Sequence, residues 1–264
     1  MATNALYRNA ANNQLLLRDT KLIQVGLTSP LEIPGVISWF AELVNGGTDR
    51  ATLSDLANIN QWDDKSGNAN HAATKKGQPT YVTASDSIYF DTTSCLGSTS
   101  KKITPANSIS TVFIVAKADK TYNNSQMYFW FSGSDNAHSY NFVMRTGVAY
   151  DAMQLYINAT AANIVNSDAN QAIMSLYTIK STDGKSANVN IWRNGSSLSL
   201  SGGSTGTMTA DNTFAIGGVV GGGDIIAYYQ HQAYVKEIIT YNWALSSGDI
   251  SKIETYLNNK YSLY

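Results

Sequence analysis

The sequence predicts an all-β fold, a two-sheet antiparallel sandwich with a short C-terminal helix and an N-terminal arm. Three observations predict it. Short β-branched and aromatic segments alternate with turn residues from Ser87 to Tyr241. Asn194-Gly195 marks a tight hairpin. Finally, the apolar period changes from that of a strand to that of a helix at Ile250. A chain of 264 residues suits one large all-β domain with a small appendage.

Residues 1–33 differ in character from the rest. Asn4, Asn9, Asn12 and Asn13 precede the apolar runs Leu15–Leu17 and Leu22–Val25, which flank the polar stretch Arg18–Lys21. That pattern predicts two short strands around a turn. Such a hairpin is barely stable alone, so it needs the main domain or another molecule to pack on. Pro30 and Pro34 bracket the junction and read as a stiff linker. Residues 34–264 then form the domain, opening with a strand from Pro34 to Phe40 that places Trp39 inside; a short helix over Ile37–Val44 is the competing reading.

The next landmark is the run Gln61-Trp62-Asp63-Asp64-Lys65-Ser66-Gly67-Asn68-Ala69-Asn70-His71-Ala72. Asp, Ser, Gly and Asn here are turn formers that bond to their own backbone. Asp63 and Asp64 are also candidate calcium ligands, but two carboxylates fall short of the six or so oxygens that calcium takes. Strands follow over Ser87–Phe90, Thr111–Lys117, Met127–Phe131, Tyr140–Arg145, Met153–Asn158, Ser175–Ile179, Ala187–Arg193 and Thr213–Ile216. The last strand begins at Tyr234, with Lys236, Ile238 and Thr240 on its side and Val235, Glu237, Ile239 and Tyr241 on the other. Ile250, Ile253, Tyr256, Leu257 and Tyr261 then line one side of a helix. Ser246 and Asp249 stand at its start in the spacing of a capping box.

Several of these segments carry a resemblance. The closing run from Glu237 to Tyr261, the Gln61–Ala72 turn, Pro79-Thr80-Tyr81, Tyr89-Phe90-Asp91 with Thr111–Lys117, and Ile191-Trp192-Arg193-Asn194-Gly195 occur in the order found in the concanavalin A-like lectin/glucanase superfamily. They are similar to its laminin-G-like branch, which is common in bacterial and bacteriophage proteins. The departure is Ala69, where that branch usually has Gly. The resemblance covers roughly residues 34 to 264, and it implies a jelly-roll sandwich.

Composition narrows the function. Charged residues make up 14% of the chain, and 18 Lys plus Arg against 19 Asp plus Glu leave a net charge of -1. Nothing in that balance calls for nucleic acid or an anionic membrane. No apolar stretch reaches the roughly 20 residues of a membrane span. The start of the chain has no basic region followed by an apolar core, so no secretory signal is read there. Cys95, the single cysteine, reads as a small buried residue. The sequons at Asn123, Asn158 and Asn194 read as chance matches in an Asn-rich chain.

No catalytic residue is assigned. Glucanases of the resembled superfamily carry their acids close together on one strand, whereas Glu32, Glu42, Glu237 and Glu254 are isolated. Neither do His71, His138 and His231 fall in a nucleophile arrangement. Binding is the better class. Two neighbours on a strand cannot both face inward, so Tyr228 or Tyr229 is expected at the surface beside His231, and these three are the candidate glycan-binding residues. The expected protein is a non-enzymatic bacteriophage virion component: a head decoration, head fibre or tail adhesin. Its N-terminal arm would hold virion subunits, its sandwich would be displayed for glycans, and the assembly would be a homo-oligomer without a cofactor. The alternative is an extracellular bacterial carbohydrate-binding module.

Overall fold

A computed structural model describes, side chains included, residues 26–101, 103, 110–119, 172–183, 188–199, 214–218, 224–226 and 232–264, together with the backbone of further strands. Among these residues two large antiparallel sheets dominate. The first runs Ser196–Ser197, Val189–Arg193, Ser175–Ser181, Ser110–Ala118, Ala233–Tyr241, Val36–Val44 and Thr48–Asp49, with Trp62–Asp64 added to Val36–Val44 and Ser87–Phe90 to Ala233–Tyr241. In the second, the order is Leu200–Ser201, Ala161–Val165, Ala152–Ile157, Tyr140–Arg145, Gln126–Ser132, Phe214–Ile216, Cys95–Ser98 and Thr74–Lys76. A helix, α1, spans Ser247–Tyr261.

The sheets stack through side chains of both. Phe40, Trp62, Val112, Ile114, Val235 and Ile238 of the first meet Leu96, Phe214 and Ile216 of the second in one buried cluster. The rings of Phe40 and Phe214 lie 5.7 Å apart. That is a two-sheet antiparallel sandwich, as the chain's patterning predicts, and it agrees with the jelly roll that the resemblance implies.

The outer face of the first sheet is covered too. Ile250, Ile253 and Leu257 of α1 press on Trp39, Ala41, Phe113, Val115, Ile239 and Tyr241. Strands Ser110–Ala118 and Ala233–Tyr241 are therefore buried on both faces, which is why Val112–Ala116 is continuously apolar. Ser246 caps α1 by accepting the Asp249 N–H at 3.1 Å.

Strand Ala233–Tyr241 departs from simple alternation. Val115 pairs with Glu237 but Ala116 pairs with Val235, so Lys236 is the extra residue of a β-bulge. Val235 consequently joins Ile238 in the sandwich interior, whereas strict alternation would set them on opposite faces.

Elsewhere the elements stand close to expectation. Val36–Val44 is a strand rather than a helix, with Trp39 buried. Asn194 and Gly195 both take positive φ, at 49° and 73°, as a two-residue hairpin turn requires. Toward the N-terminus, Leu6–Asn9, Gln14–Leu17 and Leu22–Gln24 form a three-stranded antiparallel sheet, one strand more than predicted. The junction read as a linker is a short 3-10 turn, Pro30–Glu32, seated on the sandwich: Tyr241 Oη donates to the Pro30 carbonyl at 2.8 Å, and Ile33 is buried beside α1.

Candidate functional site

The Gln61–Ala72 run folds as the short strand Trp62–Asp64 followed by a turn that the carboxylates of the run hold. Asp64 Oδ1 accepts the N–H groups of Trp39 and Ser66 at 2.8 and 2.9 Å, and its Oδ2 accepts the Asn70 N–H and the Ser66 hydroxyl at 2.9 and 2.7 Å. Asp63 Oδ2 accepts the N–H groups of Gly46 and Gly47 at 2.9 and 2.8 Å, while Oδ1 takes the Gln61 amide. His71 Nδ1 accepts the Asp64 N–H at 3.1 Å. Because that nitrogen is an acceptor here, its 3.4 Å approach to Asp63 is not a charge pair. All four carboxylate oxygens of Asp63 and Asp64 thus accept protein donors, and the two aspartates serve the turn itself. Among the described residues no group of three or more His, Cys, Asp or Glu could hold a metal.

The outer face of the first sheet holds two further groups of charged residues. Under α1 lies Glu237, fully buried. Its carboxylate accepts Trp39 Nε1 at 2.7 Å, Lys260 Nζ at 2.6 Å and Tyr261 Oη at 2.6 Å. Glu42 pairs with Lys65 and lies 3.5 Å from Lys260. Burial and the adjacent Glu237 hold the Tyr261 phenol far above its usual pKa.

Beyond the last turn of α1 the same face opens into a cleft of about 430 Å³. Thr83, Ser85 and Asp86 line it, with the apolar Ile173, Met174 and Leu263 and with Tyr261 of α1, and the strands of the sheet supply Lys117 and Lys236 as its floor. The bulge delivers Lys236 to this floor, 5.0 Å from the Tyr261 ring centroid. Lys117 lies 4.5 Å from the centroid of Tyr234, whose ring packs on Tyr89 at 4.7 Å. Neither lysine has a carboxylate partner among the described residues. Asp86, the acid of the lining, is already committed: Arg50 approaches it at 3.1 Å, and Tyr81 Oη donates to it at 3.1 Å. Arg50 itself is 2% exposed and also donates to the carbonyls of Ala41 and Lys236 at 2.9 and 2.7 Å. Desolvation, against the opposing pull of Asp86 and with Arg50 and Lys117 nearby, pushes the Lys236 pKa down.

Sequence reasoning missed this cleft. Lys117 and Lys236 stand 119 positions apart, inside runs that read only as strands, and Arg50 carries no motif. A signal was present in Lys236 itself, a charge within the strand that also carries Glu237. The residues chosen for glycan contact, Tyr228, Tyr229 and His231, lie outside the described residues. Cys95 is buried as expected, and burial pushes its thiol up to about 12.

No protein-family model matches the sequence, and no curated protein matches it. Solved structures do. Domain 4 of an extracellular arabinanase from Geobacillus stearothermophilus, in complex with arabinotriose, superposes with a TM-score of 0.55 at 13% identity, over 83% of this chain and 98% of that one. The likeness is one of fold. The receptor-binding domain of botulinum neurotoxin C/D mosaic serotype gives 0.56 at 13% identity, over 84% of this chain and 51% of that one. Trypanosoma rangeli sialidase in complex with sialic acid gives 0.56 at 13%, over 86% of this chain and 33% of that one. This chain therefore spans about half of the toxin structure and a third of the sialidase.

Proposed function

We propose that the chain is a non-enzymatic glycan-binding sandwich displayed on a bacteriophage particle, as a head decoration, head fibre or tail adhesin. The observation that carries the binding reading is the cleft on the outer face, with apolar side chains, hydroxyl groups and two lysines that form no salt bridge among the described residues. Saccharides are recognised by that mixture of apolar contact and placed polar groups. Two of the fold neighbours are described in complex with a saccharide, arabinotriose and sialic acid.

The four glutamates are each engaged inside the protein, which supports the non-enzymatic reading. Glycoside hydrolysis needs two carboxyl groups on either side of the sugar bond. Here Glu32 caps the Pro30–Glu32 turn, Glu42 pairs with Lys65, Glu237 is buried under three donors, and Glu254 accepts the Thr178 hydroxyl. The virion placement rests on the resemblance of the Gln61–Ala72 and Glu237–Tyr261 segments, with residues 1–33 as the attachment arm to virion subunits or to other copies of the chain.

Mass spectrometry of purified particles tests the placement, and absence of the chain from every particle fraction would remove it. A glycan array read alongside a saccharide-hydrolysis assay tests the activity: retained glycans with no released sugar are expected. Deleting residues 1–25 should leave a folded sandwich that no longer joins particles or oligomers. The second reading, an extracellular bacterial carbohydrate-binding module, is favoured by the near-complete coverage of the arabinanase domain. A secreted location without particle association would select it.

A further inference from the structure

We infer that the cleft beside the end of α1 binds a carboxylate-bearing saccharide, with Lys117 and Lys236 gripping the acid group. The inference deepens the glycan-binding reading and rests on it.

Three observations converge on an anion. Lys117 and Lys236 line the floor together, and neither meets a carboxylate among the described residues. Both are half-buried against tyrosine rings, 4.5 and 5.0 Å from the centroids of Tyr234 and Tyr261, which fix their positions but do not neutralise them. Two acids could supply a counter-charge, but the buried Arg50 holds Asp86 at 3.1 Å, and Asp119, two residues from Lys117, accepts hydrogen bonds from Tyr89 and Tyr234. The lining thus keeps a positive surplus inside a partly desolvated space, where one anion would face two cations. Desolvation pushes the Lys236 pKa down although Asp86 pulls it up, so the acid of the lining does not offset the burial of that ammonium.

Other features of the cleft call for more than a bare anion. Its volume of about 430 Å³ exceeds what a small inorganic ion occupies and falls within the ~300–1,000 Å³ of small-molecule sites. Ile173, more than half exposed, stands with Met174 and Leu263 as an apolar wall for the C–H face of a sugar ring. Thr83, Ser85 and Ser262 also line the cleft; Thr83 donates its hydroxyl to Asp55 and Ser85 bonds to Ser87, which leaves oxygen lone pairs as acceptors for the ring's own hydroxyls. A carboxylate on a sugar answers the cations, the wall and the hydroxyls together.

The bulge makes this possible. Without the extra residue, strand alternation would place Val235 on the helix side and carry Lys236 toward the packed interior.

Calorimetric titration of the full chain with 3′-sialyllactose, trigalacturonate and lactose tests the inference. At least one acidic probe should bind about tenfold tighter than lactose and weaken as salt is raised. Lys117→Gln and Lys236→Gln should each remove most of that preference while thermal melting stays cooperative; Lys117→Gln, on the neighbouring strand, serves alone if the half-buried Lys236 proves necessary for folding. Equal affinity for acidic probes and lactose overturns the inference but leaves glycan binding standing. Acidic binding unchanged in both variants puts the site elsewhere and overturns it as well. Displacement of the saccharide by equimolar acetate would reduce the cleft to a carboxylate trap and remove the saccharide from the account. If no glycan binds here or on the array, the glycan-binding reading fails, and this inference with it.

Discussion

The two halves of the outer face of the first sheet are built from similar residues and put to opposite uses. Under α1, lysine meets glutamate: Lys260 lies between Glu237 and Glu42, and Lys65 pairs with Glu42. One turn beyond the helix, Lys117 and Lys236 meet tyrosine faces and open space. A charge that is fully matched inside the protein holds the fold together, and a charge left unmatched in a cleft is available to a ligand. Sealing and display are therefore separated by where α1 ends.

The comparison can be broken first by opening the sealed half. Ile253 is fully buried between α1 and the sheet, and Ile253→Asp would place an unpaired charge there. A loss of about 4 kcal/mol is expected in denaturant melting. An unchanged midpoint would mean that the helix does not pack as described. Glu237→Gln is a finer cut. It keeps the shape but leaves Lys260 and Tyr261 without their shared carboxylate, so a cost of about 3 kcal/mol is expected, with the cleft lysines still able to bind.

Two smaller effects concern the Gln61–Ala72 turn. Ala69 adopts a left-handed φ of 54°, a conformation that glycine reaches without the clash of a Cβ. Ala69→Gly should therefore raise stability by up to about 1 kcal/mol despite glycine's greater unfolded-state entropy. A destabilised variant would show that the alanine methyl contributes more packing than its backbone costs. The smallest expected change comes from chelation: with N–H donors on both aspartates, the melting temperature should hold in EDTA. A calcium-dependent rise would signal an ion bound to the folded state alone.

Much of this architecture was legible in the chain. Ser87–Phe90 and Tyr140–Arg145 are strands over their full predicted spans, and α1 carries its buried residues at Ile250, Ile253 and Leu257 as its period required. Local signals sufficed there, because period and turn chemistry act over neighbouring residues. The Asp63–Asn70 segment was equally legible as a turn, and the resemblance set Ala69 where glycine is usual. The cleft was hidden for a different reason. A bulge is a relation between two strands, and nothing within residues 233–241 tells that Lys236 has no opposite number on Ser110–Ala118. Arg50 was hidden likewise, since its burial depends on carbonyls from Ala41 and Lys236 and on Asp86 arriving together. The second sheet also gained Cys95–Ser98 and Thr74–Lys76, short strands whose Gly, Ser and Lys content gave no β signal.

The division of the outer face into a sealed and a displayed half is tested most directly by a crystal structure of the chain with 3′-sialyllactose or trigalacturonate bound. The account predicts the saccharide's carboxylate between the ammonium groups of Lys117 and Lys236, its ring against Ile173 and Leu263, and the contacts of Glu237 under α1 undisturbed. A saccharide seated instead against Tyr228, Tyr229 and His231, with the cleft empty, would contradict it.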